Sequence, residues 1–188
     1  MKLEVQKRTT GKKGIINKLR REGHIPGILY SQGGDTTPVH IKAEEFQTIL
    51  RNMKPGLLST TVFELHEGNN KHKAIIKDLQ YHVATYDLLH IDFAILTEDK
   101  PITVNVPIQL HGVIDCVGVK LGGFLRQVIR SMKVSCLPKH IPQQFIVDVT
   151  DLNIAQSRRL SDIPLPENVR PLGKLNEVAV IIGKKAGT

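Results

Sequence analysis

The amino-acid sequence predicts a mainly β protein (α+β) with a few short helices, built from two domains. Apolar residues make up 40% of the 188 residues, yet aromatic residues make up only 4% and there is no Trp. The core must therefore consist mostly of Ile, Leu and Val, and β-branched residues favour strands. Seven of the ten prolines lie in residues 101–188, where edge strands and turns accommodate them better than helix interiors.

The N-terminal part, residues 1–95, predicts a β-barrel with short helices. A strand-like run at 3–8 precedes a short helical stretch, and residues 44–53 place Phe46, Ile49 and Leu50 at helical spacing. Further strands are expected at 28–30, 60–66, 73–82 and 88–96. The turn residues Glu67 to Asn70 between two of these runs predict a hairpin.

The C-terminal part, residues 96–188, predicts a second, mainly β domain. Residues 102–113 alternate, with Val104, Val106, Ile108 and Leu110 on one face. The segment at 124–132 fits either a strand or an amphipathic helix, because its periodicity does not distinguish them.

Positive charge is concentrated at the N-terminus. The net charge of the chain is +8, and residues 1–21 alone carry eight Lys or Arg against one Glu. The remaining residues together contribute about +1. Such a local patch predicts an anionic partner, although charge alone does not distinguish RNA, DNA and membrane.

Other classes of function find little support in the sequence. The segment at 66–70 lacks the second histidine of a metalloprotease helix, and no phosphate-binding loop or nucleophile elbow occurs. We therefore expect no catalytic residues, no cofactor and no metal. No secretory signal or membrane span is recognisable, so we expect a cytoplasmic protein with Cys116 and Cys136 reduced.

Two polar residues in a late strand form a candidate site. In a strand, His90 and Asp92 lie on one face while Leu89, Ile91 and Phe93 lie on the other. A polar pair on a sheet is more often a solvated or hydrogen-bonded surface than a zinc site. The same face could present side chains to a nucleic acid.

The segment at 11–30 predicts a basic helix. Lys13, Asn17, Arg20 and Arg21 stand at helical spacings and form one stripe, with Lys18 beside it and Arg8 joining from the preceding strand. Arginine binds phosphate oxygens through two parallel hydrogen bonds. Gly11 and Gly14 would let backbone N–H groups approach phosphates, Gly23 would end the helix, and Tyr30 would reach the same surface. A merely solvated basic helix is the alternative.

Several blocks of sequence, in order, resemble a known family. These are GKKGIINKLRREGHIPGILY at 11–30, KDLQYHVATYDLLHIDF at 77–93 and, in the second half, VPIQLHGV, GVKLGG, VSCLPKHIP and VDVTDLNI followed by SDIPLPENV. The chain resembles the 5S-rRNA-binding protein family of the bacterial large ribosomal subunit, in its two-domain Ctc (general stress protein) form. The resemblance covers nearly the whole chain.

This resemblance implies a structural protein whose N-terminal barrel binds 5S rRNA in the minor groove of an internal loop, within the central protuberance. It also implies the RNA-binding residues: Arg8, Lys13, Asn17, Lys18, Arg20, Arg21, Tyr30, Lys77, Gln80, His82, His90 and Asp92. The large ribosomal subunit is the other expected partner. The second domain could contact neighbouring ribosomal proteins or rRNA, or simply extend the protuberance. No membrane partner is expected.

The chain departs from the family pattern at three positions. Ser31 and Ala155 stand where glycine is usual, and Val83 stands where proline is usual, which affects the loop that carries His82. A tRNA-reading barrel related to the anticodon-binding domains of synthetases is the alternative function, and the missing catalytic domain counts against it. The role of the second domain stays open.

Overall fold

The computed structural model describes residues 1–9, 13–31, 34–68 and 70–184. The chain divides into two compact units, Met1–Lys100 and Pro101–Thr188. Each unit has its own buried apolar core. Both are built mainly from strands with a few short helices, which confirms the predicted fold class. In the described residues no helix is long and apolar enough to cross a membrane.

The first unit contains seven strands and two α-helices. The strands are β1 (Lys2–Glu4), β2 (Gln6–Lys7), β3 (His24–Tyr30), β4 (Thr36–Lys42), β5 (Val62–Glu67), β6 (Asn70–Tyr81) and β7 (Leu88–Ile95). The helices are α1 (Lys13–Arg21) and α2 (Ala43–Asn52), and a 3-10 turn covers Leu57–Thr60.

The seven strands form a nearly closed barrel in the order β1-β5-β6-β7-β3-β4-β2. The single run predicted at 3–8 is in fact two short strands separated by Val5, because β1 pairs with β5 while β2 pairs with β4. One short segment therefore supplies both edges of the sheet. Val5 is only 2% exposed, so the break is held in place by burial in the core.

Local chemistry explains both helices. α1 ends at Arg21, where Gly23 adopts φ +79 and its N–H donates to the Arg20 carbonyl at 3.2 Å, so the predicted helix stop is confirmed. α2 has Glu44 and Glu45 in its first turn, where negative charge is favourable, and buries Phe46 completely.

The predicted hairpin is also confirmed. β5 and β6 pair antiparallel from Val62↔Ile75 to Glu67↔Asn70. The turn between them contains Gly68 at φ +57, while the predicted turn residue Asn69 lies outside the described residues. The inner face of β5 contributes Phe63 and Leu65, both fully buried, to the core.

The second unit contains two sheets over one core. Its strands are β8 (Ile102–His111), β9 (Phe124–Gln127), β10 (Ser131–Cys136), β11 (Phe145–Asp148), β12 (Ser157–Arg159), β13 (Val169–Pro171) and β14 (Val178–Gly183). A short helix, α3, covers Val117–Lys120. One sheet has the order β11-β8-β10-β13 and the other β12-β14-β9.

The core of the second unit draws apolar side chains from both sheets, including Val106, Val134 and Val180. β8 alternates as predicted, with Val104, Val106 and Ile108 buried. The ambiguous segment at 124–132 is extended, because β9 pairs with β14 and β10 pairs with β8. Cys116 and Cys136 are free and buried.

Candidate nucleic-acid interface

The basic helix α1 exposes part of the predicted stripe. Asn17, Lys18 and Arg21 are all exposed to solvent. Lys18 lies 3.8 Å from the Glu22 carboxylate, and such an exposed pair contributes little to stability. Gly11 and the side chain of Lys13 lie outside the described residues. The described part of α1 therefore offers two exposed cations and an amide.

Arg20 points into the protein, away from the exposed side of the stripe. Its Nη2 donates to the Leu89 carbonyl at 2.9 Å, and its Nε is buried without a described hydrogen-bond partner. The side chain therefore ties the end of α1 to the start of β7, one residue before His90. Because a guanidinium has five N–H donors, this half-buried side chain keeps donors on its terminal nitrogens besides the bond to Leu89.

Arg8 is also partly committed to the protein. Its backbone N–H donates to Pro38 and its Nε donates to the Val39 carbonyl at 3.1 Å. Because a guanidinium has five N–H donors, this bond fixes the direction of the side chain and leaves the terminal nitrogens for other acceptors.

A second group of predicted residues lies on one face of three neighbouring strands, β6, β7 and β3; these are Lys77, Gln80, His90, Asp92 and Tyr30. Gln80 of β6 is directly opposite His90 of β7. Ile91 is fully buried on the other face of β7, and so is Phe93. The predicted alternation is thereby confirmed for Ile91 and Phe93, whereas Leu88 packs against the core in place of the predicted Leu89. The polar face of β7 points away from the core.

Asp92 links two other predicted residues in a hydrogen-bond network. Its Oδ1 lies 2.7 Å from His90 Nδ1, and its Oδ2 accepts from the Tyr30 hydroxyl at 3.2 Å. Because a carboxylate only accepts, Nδ1 of His90 carries the proton and Nε2 is left for a ligand. Burial, and then the neighbouring Asp92 carboxylate, raise the pKa of Tyr30, so its hydroxyl stays a donor at neutral pH.

Lys77 reaches this face because of a bulge. Strict alternation from Gln80 would place Lys77 on the core side, but the β6–β7 register shifts between Ile76 and Asp78. The extra residue turns Lys77 outward, and its Nζ lies 6.0 Å from the centre of the Tyr30 ring. The ammonium group is thus held beside the Tyr30–Asp92–His90 network.

His82 sits in the tight turn between β6 and β7. Its Nδ1 accepts from the Thr85 backbone N–H at 3.2 Å, which assigns the ring proton to Nε2. The His82 N–H donates to Asp87 at 2.8 Å and the Tyr86 N–H donates to His82 at 2.9 Å. These bonds hold the turn with Val83 in place of the usual proline, and Val83 is 91% exposed.

An open cleft connects the two predicted groups. It lies between the end of α1 and the 82–87 turn, and Arg20, His24, Gln47, His82 and Asp87 are among its lining residues. Gln47 comes from α2, and no pattern in the sequence singles it out. Asp78 was also missed, although its spacing of two from Gln80 could have indicated that it shares the polar face.

The described residues contain no group of three or more His, Cys, Asp or Glu side chains that could hold a metal. The fold and this surface thus define a two-unit β protein that presents arginine, lysine, amide and imidazole groups on one side of its first unit. The Ribosomal L25p family model matches residues 3–93. The model of the C-terminal domain of ribosomal protein TL5 matches residues 101–186.

Individual relatives match over the whole length. The large ribosomal subunit protein bL25 of Chlamydia muridarum is 46% identical over 185 residues, which cover 98% of this chain and 100% of the relative. The bL25 proteins of Chlamydia trachomatis serovar L2 and Chlamydia pneumoniae are 45% and 42% identical over the same lengths.

The chain belongs to the bL25 family of bacterial large-subunit ribosomal proteins, in its two-domain Ctc form. This confirms the resemblance noted in the sequence. The family consists of structural components of the cytoplasmic ribosome and not of enzymes.

Proposed function

We propose that the first unit binds 5S rRNA in the minor groove of an internal loop, within the central protuberance of the large subunit. The observation that carries the proposal is the Tyr30–Asp92–His90 network, which holds polar groups at fixed positions beside Gln80 on an open sheet face. The minor groove of RNA is wide and shallow, and it displays base edges and 2′-hydroxyls. Fixed donors and acceptors on a sheet suit such a surface.

The two groups of residues have different tasks in this proposal. Arg21 and Lys18 of α1, with Arg8 and Lys77 beside the sheet, contact phosphates and supply most of the affinity. Gln80, His82 and His90 face base edges and 2′-hydroxyls and supply the preference for one RNA.

The tautomers of the two histidines make one ring a hydrogen-bond donor and the other an acceptor. His82 presents Nε2–H, because its Nδ1 accepts from Thr85. His90 presents a bare Nε2 when neutral, because its Nδ1–H is directed to Asp92. One imidazole therefore donates to the RNA and the other accepts, for example from a 2′-hydroxyl.

Arg20 has a mixed task. Its bond to Leu89 holds α1 against β7, and its side chain lines the cleft that also contains His82. We infer that Arg20 positions α1 relative to the sheet face and that its terminal N–H groups also bind RNA phosphate.

The test is a competition titration with the full chain. Labelled 5S rRNA is titrated at two salt concentrations with tRNA as competitor, and His90→Ala is compared with Lys71→Ala, which removes an exposed cation at the hairpin end of β6, far along the strand from Gln80. His90→Ala should lose the preference for 5S rRNA while Lys71→Ala keeps it. Equal behaviour of both variants would remove the sheet face from the site. No particular feature of the structure favours the tRNA-reading alternative.

A further inference from the structure

The second unit carries its own excess of positive charge. Residues 101–188 contain eleven Lys or Arg against six Asp or Glu, a net charge of +5. Residues 22–100 carry a net negative charge, which nearly cancels the positive charge of residues 101–188. The chain beyond residue 21 therefore has a small net charge overall. An anionic partner therefore suits the second unit as well as the first.

Residues 124–130 form a strip of alternating exposure, in which β9 ends at Gln127 and Val128 stands at a bend. Phe124, Arg126, Val128 and Arg130 are all exposed, while Leu125 and Ile129 pack against the core. Within β9, the alternate residues Phe124 and Arg126 lie about 6.6 Å apart on one face. Among the described residues, no carboxylate lies within ion-pair distance of Arg126 or Arg130. The two guanidinium groups are thus available on either side of Val128.

Phe124 is exceptional among the phenylalanines of the chain. The other four are at most 3% exposed, whereas Phe124 is 48% exposed. It stands opposite Gly183 of β14. A Cβ atom at position 183 would lie 2.7 Å from Cε1 of the ring, so the ring covers the bare glycine backbone. The tip of the ring therefore lies over Gly183, and about half of the side chain is left to solvent.

We propose that the strip Phe124, Arg126, Val128 and Arg130 is a second RNA-binding surface, specific for an unpaired base. The free ring face of Phe124 stacks on the base, and Arg126 and Arg130 bind the phosphates on the same strand. Stacking on an aromatic ring between cations is how proteins hold single-stranded nucleic acid with little sequence preference. Lys184, which follows Gly183 in sequence, is a further exposed cation.

This surface is separate from the proposed 5S rRNA site, since all its residues lie in the second unit. Its chemistry also differs, because it offers one ring and flexible cations and has no hydrogen-bonded network to read base edges. A protein partner would also cover Phe124, but an unpaired cationic strip fits a polyanion better than a neutral surface.

The chain contains no Trp, so Phe124→Trp introduces a single fluorophore at the proposed stacking position. The full-length variant is titrated with single-stranded oligoadenylate and with a blunt RNA duplex of the same length. We expect the single strand to quench the Trp emission and the duplex to leave it nearly unchanged. The signal reports RNA at position 124, and the same titration in an Arg21→Ala background should give the same quenching if the second unit alone produces it.

Affinity measurements complete the test. In an Arg21→Ala background, Phe124→Ala should weaken oligoadenylate binding by about 5- to 100-fold, the loss expected for one stacked base. Phe124→Leu, which keeps an apolar side chain on Gly183, should lose nearly as much. Gly183→Ala keeps the Phe124 ring but displaces it, so it should also weaken oligoadenylate binding. This variant tests the proposal if Phe124→Ala does not fold.

The proposal is overturned if oligoadenylate leaves the Trp emission of the Phe124→Trp variant unchanged and if Phe124→Leu and Gly183→Ala bind oligoadenylate as tightly as the native chain. The strip would then be a protein-binding surface. Preference for 5S rRNA over tRNA should be unaffected in all these variants, which separates this site from that of the first unit.

Discussion

Asp92 lies between His90 and Tyr30, 2.7 Å from Nδ1 of the imidazole and 3.2 Å from the phenol oxygen. Both carboxylate oxygens are therefore engaged within the protein. We infer that Asp92 acts mainly as a positioning residue, because its two bonds hold the His90 imidazole and the Tyr30 hydroxyl in place. In the surface proposed to bind RNA, we expect the negative charge to orient its neighbours.

Asp92→Asn should reduce discrimination more than affinity. The amide keeps the size of the side chain but weakens the charge-assisted bond to His90, worth about 1.5–3 kcal/mol when intact. We expect the ratio of 5S rRNA to tRNA affinity to fall about tenfold. Competition titration measures this ratio.

Asp78→Asn is the matched control for that variant. Asp78 lies opposite Asp92 on the same face, is exposed, and has no place in the network. Its loss should strengthen binding of both RNAs, because a negative charge is removed. Similar effects of the two variants would mean that Asp92 acts only through its charge.

Arg20→Ala and Arg21→Ala should have separable effects. Arg21 is exposed, so its removal should lower the slope of log affinity against log salt by about 0.7–0.9 and leave the melting temperature unchanged. Arg20→Ala removes the bond to Leu89 and should also lower the melting temperature. Binding at several salt concentrations and thermal unfolding measure the two effects. An Arg21→Ala chain with an unaltered slope would exclude that side chain from the phosphate contacts.

Ala155→Gly should stabilise the second unit. Ala155 has φ +69, a conformation that costs an L-residue about 1–2 kcal/mol, and its N–H donates to Ile182 at 2.9 Å. Glycine relieves that strain but loses more chain entropy, so we expect a net gain of ~1 kcal/mol. Chemical denaturation measures the gain. Ala84→Gly, at an exposed position without positive φ, should give none.

The stability of the first unit should fall in mild acid because of His40. Burial, and then the positive charges of His24 and Arg8, lower the pKa of His40. The imidazole rings of His40 and His24 meet edge to face, with their centres 5.0 Å apart. A lowered folded-state pKa means that the unfolded chain takes up the proton first. Stability is therefore fully present above about pH 6.5 and declines as the pH falls below it.

His40→Gln should remove part of this decline, because glutamine does not titrate. Urea denaturation at about pH 7.5 and about pH 5.5 compares the two chains. If the native chain and the His40→Gln chain lose the same free energy of unfolding, the protonation of His40 does not differ between the folded and unfolded states.

Local patterns were sufficient to predict the hairpin, the α1 stop at Gly23 and the shared face of His90 and Asp92, since each depends on neighbours in sequence. Interactions between distant segments were not predictable. The division of the 3–8 run depends on which strands its halves pair with, and the inward turn of Arg20 depends on the Leu89 carbonyl 69 residues away. The outward position of Lys77 required a bulge that the pattern of β6 does not show.

The most direct test is the competition titration of the full chain and its Gln80→Ala/His90→Ala variant against 5S rRNA, with tRNA as competitor, at low and at physiological salt. The two side chains lie opposite each other on β6 and β7. With His90 neutral, replacing both by Ala removes hydrogen-bonding groups and leaves the net charge unchanged. We expect the native chain to keep its 5S rRNA complex in excess tRNA at both salt concentrations, and the variant to lose it. A native complex that tRNA displaces as readily as unlabelled 5S rRNA, and that disappears at physiological salt, would contradict the proposed function and leave only a basic patch.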